Sequence, residues 1–204
     1  MRKFKLLFLI LAFSFLFTSC GKKEQTMEKK ETKTDTKQTT TNQPNQMKFF
    51  ALSSAKETGK NEAPDIKWNE NGKAASISDL KGKVVLVNLW ATWCKPCVGE
   101  MPDLSKIYNE LKDKGFEMIG ISVMPGQDSK PVGEFLQSNP VSYTIIEGND
   151  DVVKAFSKSI GSEINSIPRT FIIDKTGKIV EKIEGVQREK NKEHIQSLVE
   201  KYLK

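Results

Sequence analysis

The chain has 204 residues, 37% of them hydrophobic and 28% charged, which is enough for one ordinary domain with extensions. Its formal net charge of +6 arises wholly in the first 48 residues, half from Arg2, Lys3 and Lys5 and half from the lysine-rich stretch 22–48. From Phe49 onward 22 basic residues balance 22 acidic ones, so the basic total is no argument for nucleic acid and that class is excluded.

At the N-terminus Arg2, Lys3 and Lys5 precede an apolar run from Leu6 to Phe17, followed by Thr18, Ser19 and Cys20. A bilayer-spanning helix needs about twenty apolar residues, so this shorter run reads as a signal peptide over residues 1–19. The stretch Leu16-Phe17-Thr18-Ser19-Cys20 resembles the lipobox of bacterial lipoproteins, with Phe17 where Leu is usual. That resemblance implies acylation of Cys20 and a chain tethered to the cell membrane, facing the periplasm or another extracytoplasmic space. Buried lipid methylenes contribute about 0.8 kcal/mol each. Residues 20–60 are expected to be the anchor and a flexible polar linker, since Lys, Glu, Thr and Gln dominate from Gly21 to Gln46 and cannot bury enough surface to order themselves. Phe49, Phe50 and Leu52 are apolar enough to dock on the domain, which is expected over residues 61–204.

The globular pattern begins near Ala63. Residues 66–70 and 73–77 flank Asn71-Gly72, a dipeptide favoured in tight hairpin turns, and Ser78 is expected to cap a short turn through Leu80. Residues 83–89 include the unbroken apolar run Val84-Val85-Leu86-Val87, as expected of a strand buried on both faces. Met101, Leu104, Ile107, Tyr108 and Leu111 recur at helical spacing, predicting a helix over 94–114. Next come a strand over 116–123, a helix over 130–138, a strand over 143–147, and a helix over 150–159 capped by Asn149 or Asp150. Strands over 170–174 and 178–184, joined at Lys175-Thr176-Gly177, precede a closing helix over 188–203. Alternating strands and helices ending in a hairpin and a helix give an α/β class with a mixed central sheet.

The chemistry falls where the buried strand meets the helix, in Trp90-Ala91-Thr92-Trp93-Cys94-Lys95-Pro96-Cys97. Two cysteines separated by two residues at a helix start can close a small disulfide ring. The first faces unpaired backbone N–H groups and the positive end of the helix dipole, which favour its thiolate, the attacking species. Lys95 adds a cation, and Pro96 lacks an N–H that the first turn would leave unpaired. Cys94 is thus the expected nucleophile and Cys97, deeper in the helix, the group that resolves the mixed disulfide. Trp93 is expected to line the exposed site, Trp90 to sit in the core, and His194, the only histidine, to be solvated.

At these residues the chain resembles the thioredoxin-like fold, and in particular the extracytoplasmic TlpA/ResA type of thiol–disulfide oxidoreductase. The likeness runs over roughly residues 60–204. It implies an N-terminal β-hairpin and an extra strand–helix block around 116–147. It further implies that Ile167-Pro168 is the family's cis-proline opposite the CxxC, holding the backbone of Ile167 ready to pair with an extended substrate. Trp93, Lys95, Pro96, Ile167 and Pro168 are then the substrate-binding set. Glu100, three residues after Cys97, takes the place of the family's carboxylate near the thiols. It would relay protons or raise the thiol pKa values by like-charge repulsion. Asn88 stands where cytoplasmic thioredoxins carry a buried Asp, which places more of the proton handling on Glu100.

The expected activity is disulfide reduction in exported proteins, apocytochrome c among them, with electrons drawn from a membrane thiol–disulfide donor. The Lys-Pro dipeptide and Glu100 resemble the reducing branch. The chain is expected to be a monomer with no cofactor beyond the redox-active disulfide Cys94–Cys97. With Cys20 lipidated, two thiols are too few for a closed tetrahedral zinc site. Two alternatives compete. A peroxiredoxin would carry Pro-x-x-x-Thr-x-x-Cys, but Val87 and Ala91 occupy the proline and threonine positions before Cys94. A copper(I) carrier would use the same two thiols as soft ligands.

Overall fold

A computed structural model describes residues 47–186 and 191–204. Eight strands form one mixed sheet: β1 (Phe49–Lys56), β2 (Asp65–Glu70), β3 (Lys73–Ser76), β4 (Val84–Trp90), β5 (Phe116–Ser122), β6 (Thr144–Glu147), β7 (Arg169–Ile173) and β8 (Ile179–Glu184). Their order across the sheet is β3-β2-β1-β6-β5-β4-β7-β8. The four helices are α1 (Lys95–Leu111), α2 (Val132–Ser138), α3 (Asp150–Ile160) and α4 (Asn191–Leu203). The signal and lipidation readings, Cys20 included, lie outside the described residues.

All seven residues of β4 are buried because the strand is covered on both faces and paired on both edges, parallel to β5 and antiparallel to β7. Its alternation sorts two cores. Val84, Leu86 and Trp90 pack with α1, α2 and α4, whereas Val85, Val87 and Leu89 pack with α3 and with Ile66 and Trp68 of β2. Asn88 belongs by the same period to the α1 side, and that places its amide beneath the active-site helix. The Asn71-Gly72 hairpin forms as expected, both residues taking positive φ (54° and 87°). Gly120, opposite Asn88 in β5, has no room for a side chain, since a Cβ there would lie 2.7 Å from Cδ1 of Ile145 and 3.1 Å from the Tyr143 ring.

Four expectations shift. The reading that placed residues up to 60 in the linker is corrected: Phe49–Lys56 is a strand, antiparallel to β2 and parallel to β6. Its apolar residues serve both faces, Phe49 towards α2 and Phe50 and Leu52 towards α3, and an irregularity between Leu52 and Ser54 breaks the period of two. The signal a half-buried strand would give is therefore absent. The long helix ends at Leu111 and tightens into a 3₁₀ turn over Lys112–Lys114, closed by Gly115 at φ 85°. The second helix starts at Val132, after Pro131. Ser76, not Ser78, caps the turn Ile77–Leu80, its hydroxyl accepting from the N–H of Asp79. Asn149 caps α3 as one of the two candidates.

Candidate active site

The site lies at the C-terminal end of β4, where parallel α/β sheets commonly place their chemistry. Cys94 is the N-cap of α1 and its Sγ accepts from the N–H of Cys97 at 3.3 Å. The cap therefore uses sulfur where Ser, Thr or Asp usually serve. Cys94 and Cys97 are joined in a disulfide, their Cα atoms 5.3 Å apart. Cys97 is fully buried and Cys94 3% exposed, so what reach the pair has is through Cys94. Lys95 and Pro96 open the helix on its exposed side.

Opposite the disulfide, the Ile167–Pro168 peptide bond is cis. The Sγ of Cys94 lies 3.8 Å from the carbonyl oxygen of Ile167. Trp93 is 42% exposed, the one large apolar side chain so exposed among the described residues. Its indole N–H donates to the carbonyl of Met124 at 2.8 Å. Beside it, Thr92 fastens the loop after β5 at a second point, its hydroxyl accepting from the Lys130 N–H at 2.9 Å and lying 3.2 Å from the Lys130 carbonyl. The tryptophan thus rests on a held surface.

Glu100 lies one turn beyond Cys97 on the buried face of α1, only 4% exposed. Its Oε1 accepts from Asn88 Nδ2 at 2.9 Å, and its Oε2 from Asn191 Nδ2 at 3.3 Å. The second hydrogen of the Asn88 amide goes to Thr170 Oγ1 at 3.0 Å. Burial drives the Glu100 carboxyl up to about 7, with the two asparagine bonds pulling the other way. Burial also raises the phenol of Tyr143 far above its ordinary value, and the charge of Glu100 adds to that. An open groove of about 770 Å³ connects Pro96, Pro168 and Asn191 to Glu100, giving the carboxyl a way to exchange protons with water.

All eight residues expected around the redox pair are thus gathered in one place, and Trp90 and His194 take their expected buried and exposed settings. The reading missed Thr170 and Asn191. Thr170 stands opposite Asn88 in the β4–β7 register, and nothing in either strand's own residues gives a register between segments so far apart. Asn191 gives no signal, because α4 is a polar helix whose contacts depend on tertiary docking. Among the described residues no cluster of three or more His, Cys, Asp or Glu is placed to hold a metal ion.

A helix-capping cysteine bonded to a second one a turn away, at the end of a buried central strand of this topology, defines a thioredoxin-like thiol–disulfide oxidoreductase. Comparison with known proteins agrees: residues 58–198 match the Redoxin family model, and the chain belongs to that family. It is similar to thiol-disulfide oxidoreductase ResA of Bacillus cereus, 34% identical over 155 residues that cover 75% of this chain and 83% of the relative. ResA of Bacillus subtilis is 34% identical over 120 residues, 58% of this chain and 63% of that one. Among solved structures, a thioredoxin-family thiol:disulfide interchange protein from Chlorobium tepidum superposes with a TM-score of 0.60 at 28% identity, covering 72% of this chain and 99% of its own. The chain is a protein-disulfide oxidoreductase.

Proposed function

We propose that the chain works as a reductase of disulfides in exported proteins, apocytochrome c among the candidates, held at the outer side of a membrane through lipid on Cys20. The Cys94 thiolate attacks one sulfur of the substrate disulfide; that S–S bond breaks and the first substrate sulfur leaves as a thiolate. The Cys97 thiol gives its proton to the Glu100 carboxylate and attacks Cys94 Sγ. The second substrate sulfur then leaves, and the two electrons of the dithiol have passed to the substrate. Protons return to the leaving thiolates from Glu100 and from water in the groove. A membrane thiol–disulfide donor then reduces the Cys94–Cys97 disulfide.

The observation that supports this direction is Glu100, a buried carboxyl one helical turn from Cys97 and pushed up to about 7. A carboxylate there opposes thiolate formation by like-charge repulsion. A pair whose thiolates are not strongly stabilised favours its disulfide, so its dithiol is the stronger reductant. In this reading the backbone of Ile167 pairs with the substrate segment carrying the disulfide, and Trp93 with Pro96 forms the adjoining surface.

Two measurements test the reading. Equilibration of the pair in dithiothreitol buffers should give a potential well below that of glutathione, and a value at or above it removes the reductive direction. A Cys97→Ser chain should accumulate substrate linked to Cys94, while Cys94→Ser should not. The reverse pattern exchanges the roles of nucleophile and resolver.

A further inference from the structure

The segment facing Cys94 is gripped from behind by a single carboxylate. Glu184, the last residue of β8, stands directly across from Arg169, the first of β7. Its Oε2 accepts from Arg169 Nη1 at 3.0 Å, and its Oε1 accepts from the Ser166 hydroxyl at 2.8 Å. The two bonds fall on either side of the Ile167–Pro168 peptide. The next residue continues the grip, the N–H of Gly185 donating to the carbonyl of Pro168 at 2.9 Å. Glu184 is therefore a staple between the end of one strand and both flanks of the segment that touches the nucleophile.

Its placement argues against stability as the main role. Along β7, Thr170 points to the α1 side and meets Asn88, so Arg169 points to the other face. Glu184 is absent from the lining of the groove that leads to Glu100. The Glu184 side chain is 62% exposed, so water screens its end of the pair and weakens what the contact contributes to stability. Arg169 is the opposite, 12% exposed with its Nε buried and without a hydrogen-bond partner. Burial holds the guanidinium against the fold, and the carboxylate links it to Ser166.

We propose that Glu184 is a positioning residue for substrate recognition, fixing the backbone of Ile167 for an extended, disulfide-bearing protein segment while leaving the redox pair itself unaltered. This deepens the proposed function and rests on the reading that Ile167 pairs with substrate. A small disulfide that makes no backbone contacts has no use for the staple.

The test compares insulin, as a protein disulfide, with bis(2-hydroxyethyl) disulfide, using the full chain reduced by dithiothreitol. Glu184→Ala, which removes both bonds, should lower kcat/KM for insulin about tenfold, mainly through KM. Turnover of the small disulfide and the Cys94–Cys97 potential should stay within twofold of the parent. Ser166→Ala, which leaves the Arg169 pair intact, should show the same split to a smaller degree. The double exchange Arg169→Glu with Glu184→Arg should restore insulin turnover, because the Ser166 hydroxyl can accept from a guanidinium. Equal losses on both substrates, a shifted potential, or unchanged insulin kinetics in Glu184→Ala would overturn the assignment. Amide exchange in a Cys97→Ser chain disulfide-linked to a peptide separates the two levels. Without slowed exchange at Ile167 the docking reading falls and this one with it; with slowed exchange but normal Glu184→Ala kinetics, only the Glu184 role falls.

Discussion

Replacing Glu100 with Gln should change how the stability of the oxidised protein depends on pH. The folded chain raises this carboxyl from 4.5 to about 7 by burying it. Below pH 4.5 it is protonated in both the folded and unfolded chains and has no effect on their balance. As pH rises from there, the unfolded chain releases the proton and the folded one keeps it until about 7. The folded state is therefore progressively disfavoured across that interval, and the loss persists above it. At 1.36 kcal/mol per pH unit the full loss is about 3 kcal/mol. Glu100→Gln removes the titration and retains the shape, its amide oxygen still accepting from Asn88 and its NH2 turned towards Asn191 and the groove. Urea unfolding of both chains with the disulfide intact, from pH 4 to 8, gives the difference curve directly. Parent stability should fall by about 3 kcal/mol relative to Glu100→Gln between pH 4.5 and 8. Carboxylates such as Glu181, held below the usual range by the Tyr202 hydroxyl, titrate lower and cancel in the difference. Parallel curves would refute the argument that burial governs Glu100.

Asn88→Leu should raise the Glu100 carboxyl further and cost about 1–3 kcal/mol, since Thr170 and Glu100 both lose a buried partner; the pH at which the difference curve bends reports the first effect and urea unfolding the second. Gly148→Ala should destabilise the domain by about 1–3 kcal/mol: a Cβ there would lie 2.7 Å from Ile121 Cγ2 and 2.9 Å from the backbone oxygen of Ser122, and thermal unfolding measures it. Trp93→Ala should slow insulin reduction about tenfold through lost aromatic contact and lower the domain's stability by only about 1 kcal/mol, the worth of the Met124 bond lost from a ring that is 42% exposed.

What could be read from the residues follows from how local each signal is. The run Val84–Val87 is apolar because both faces of β4 are covered, and no folded partner need be known to see it. The Asn71-Gly72 turn and the Asn149 cap are likewise contained within a few residues. Cys94, Cys97 and Pro96 carry their chemistry through a spacing that a helix start alone makes useful. Ile167-Pro168 and Glu100 were placed by family resemblance, since neither position says by itself what it faces. Strand β1 escaped because it divides its apolar residues between two cores and joins a polar stretch with no turn signal. Asn191, Ser166 and Glu184 escaped for a different reason: each is a common surface residue whose meaning lies wholly in a partner 15 to 91 residues away.

The position of β1 inside the sheet bears on how the domain responds to being pulled. Its neighbours on the two sides are β6, paired with residues 49–51, and β2, paired with residues 52–56, so tension arriving along the preceding chain would act lengthwise on first one row of hydrogen bonds and then the other. Rows strained lengthwise must give way together, whereas an edge strand peeled sideways loses its bonds one by one. The domain therefore meets a tug from its N-terminal side in shear, and β4 with the redox pair, separated from β1 by β6 and β5, is shielded from that load.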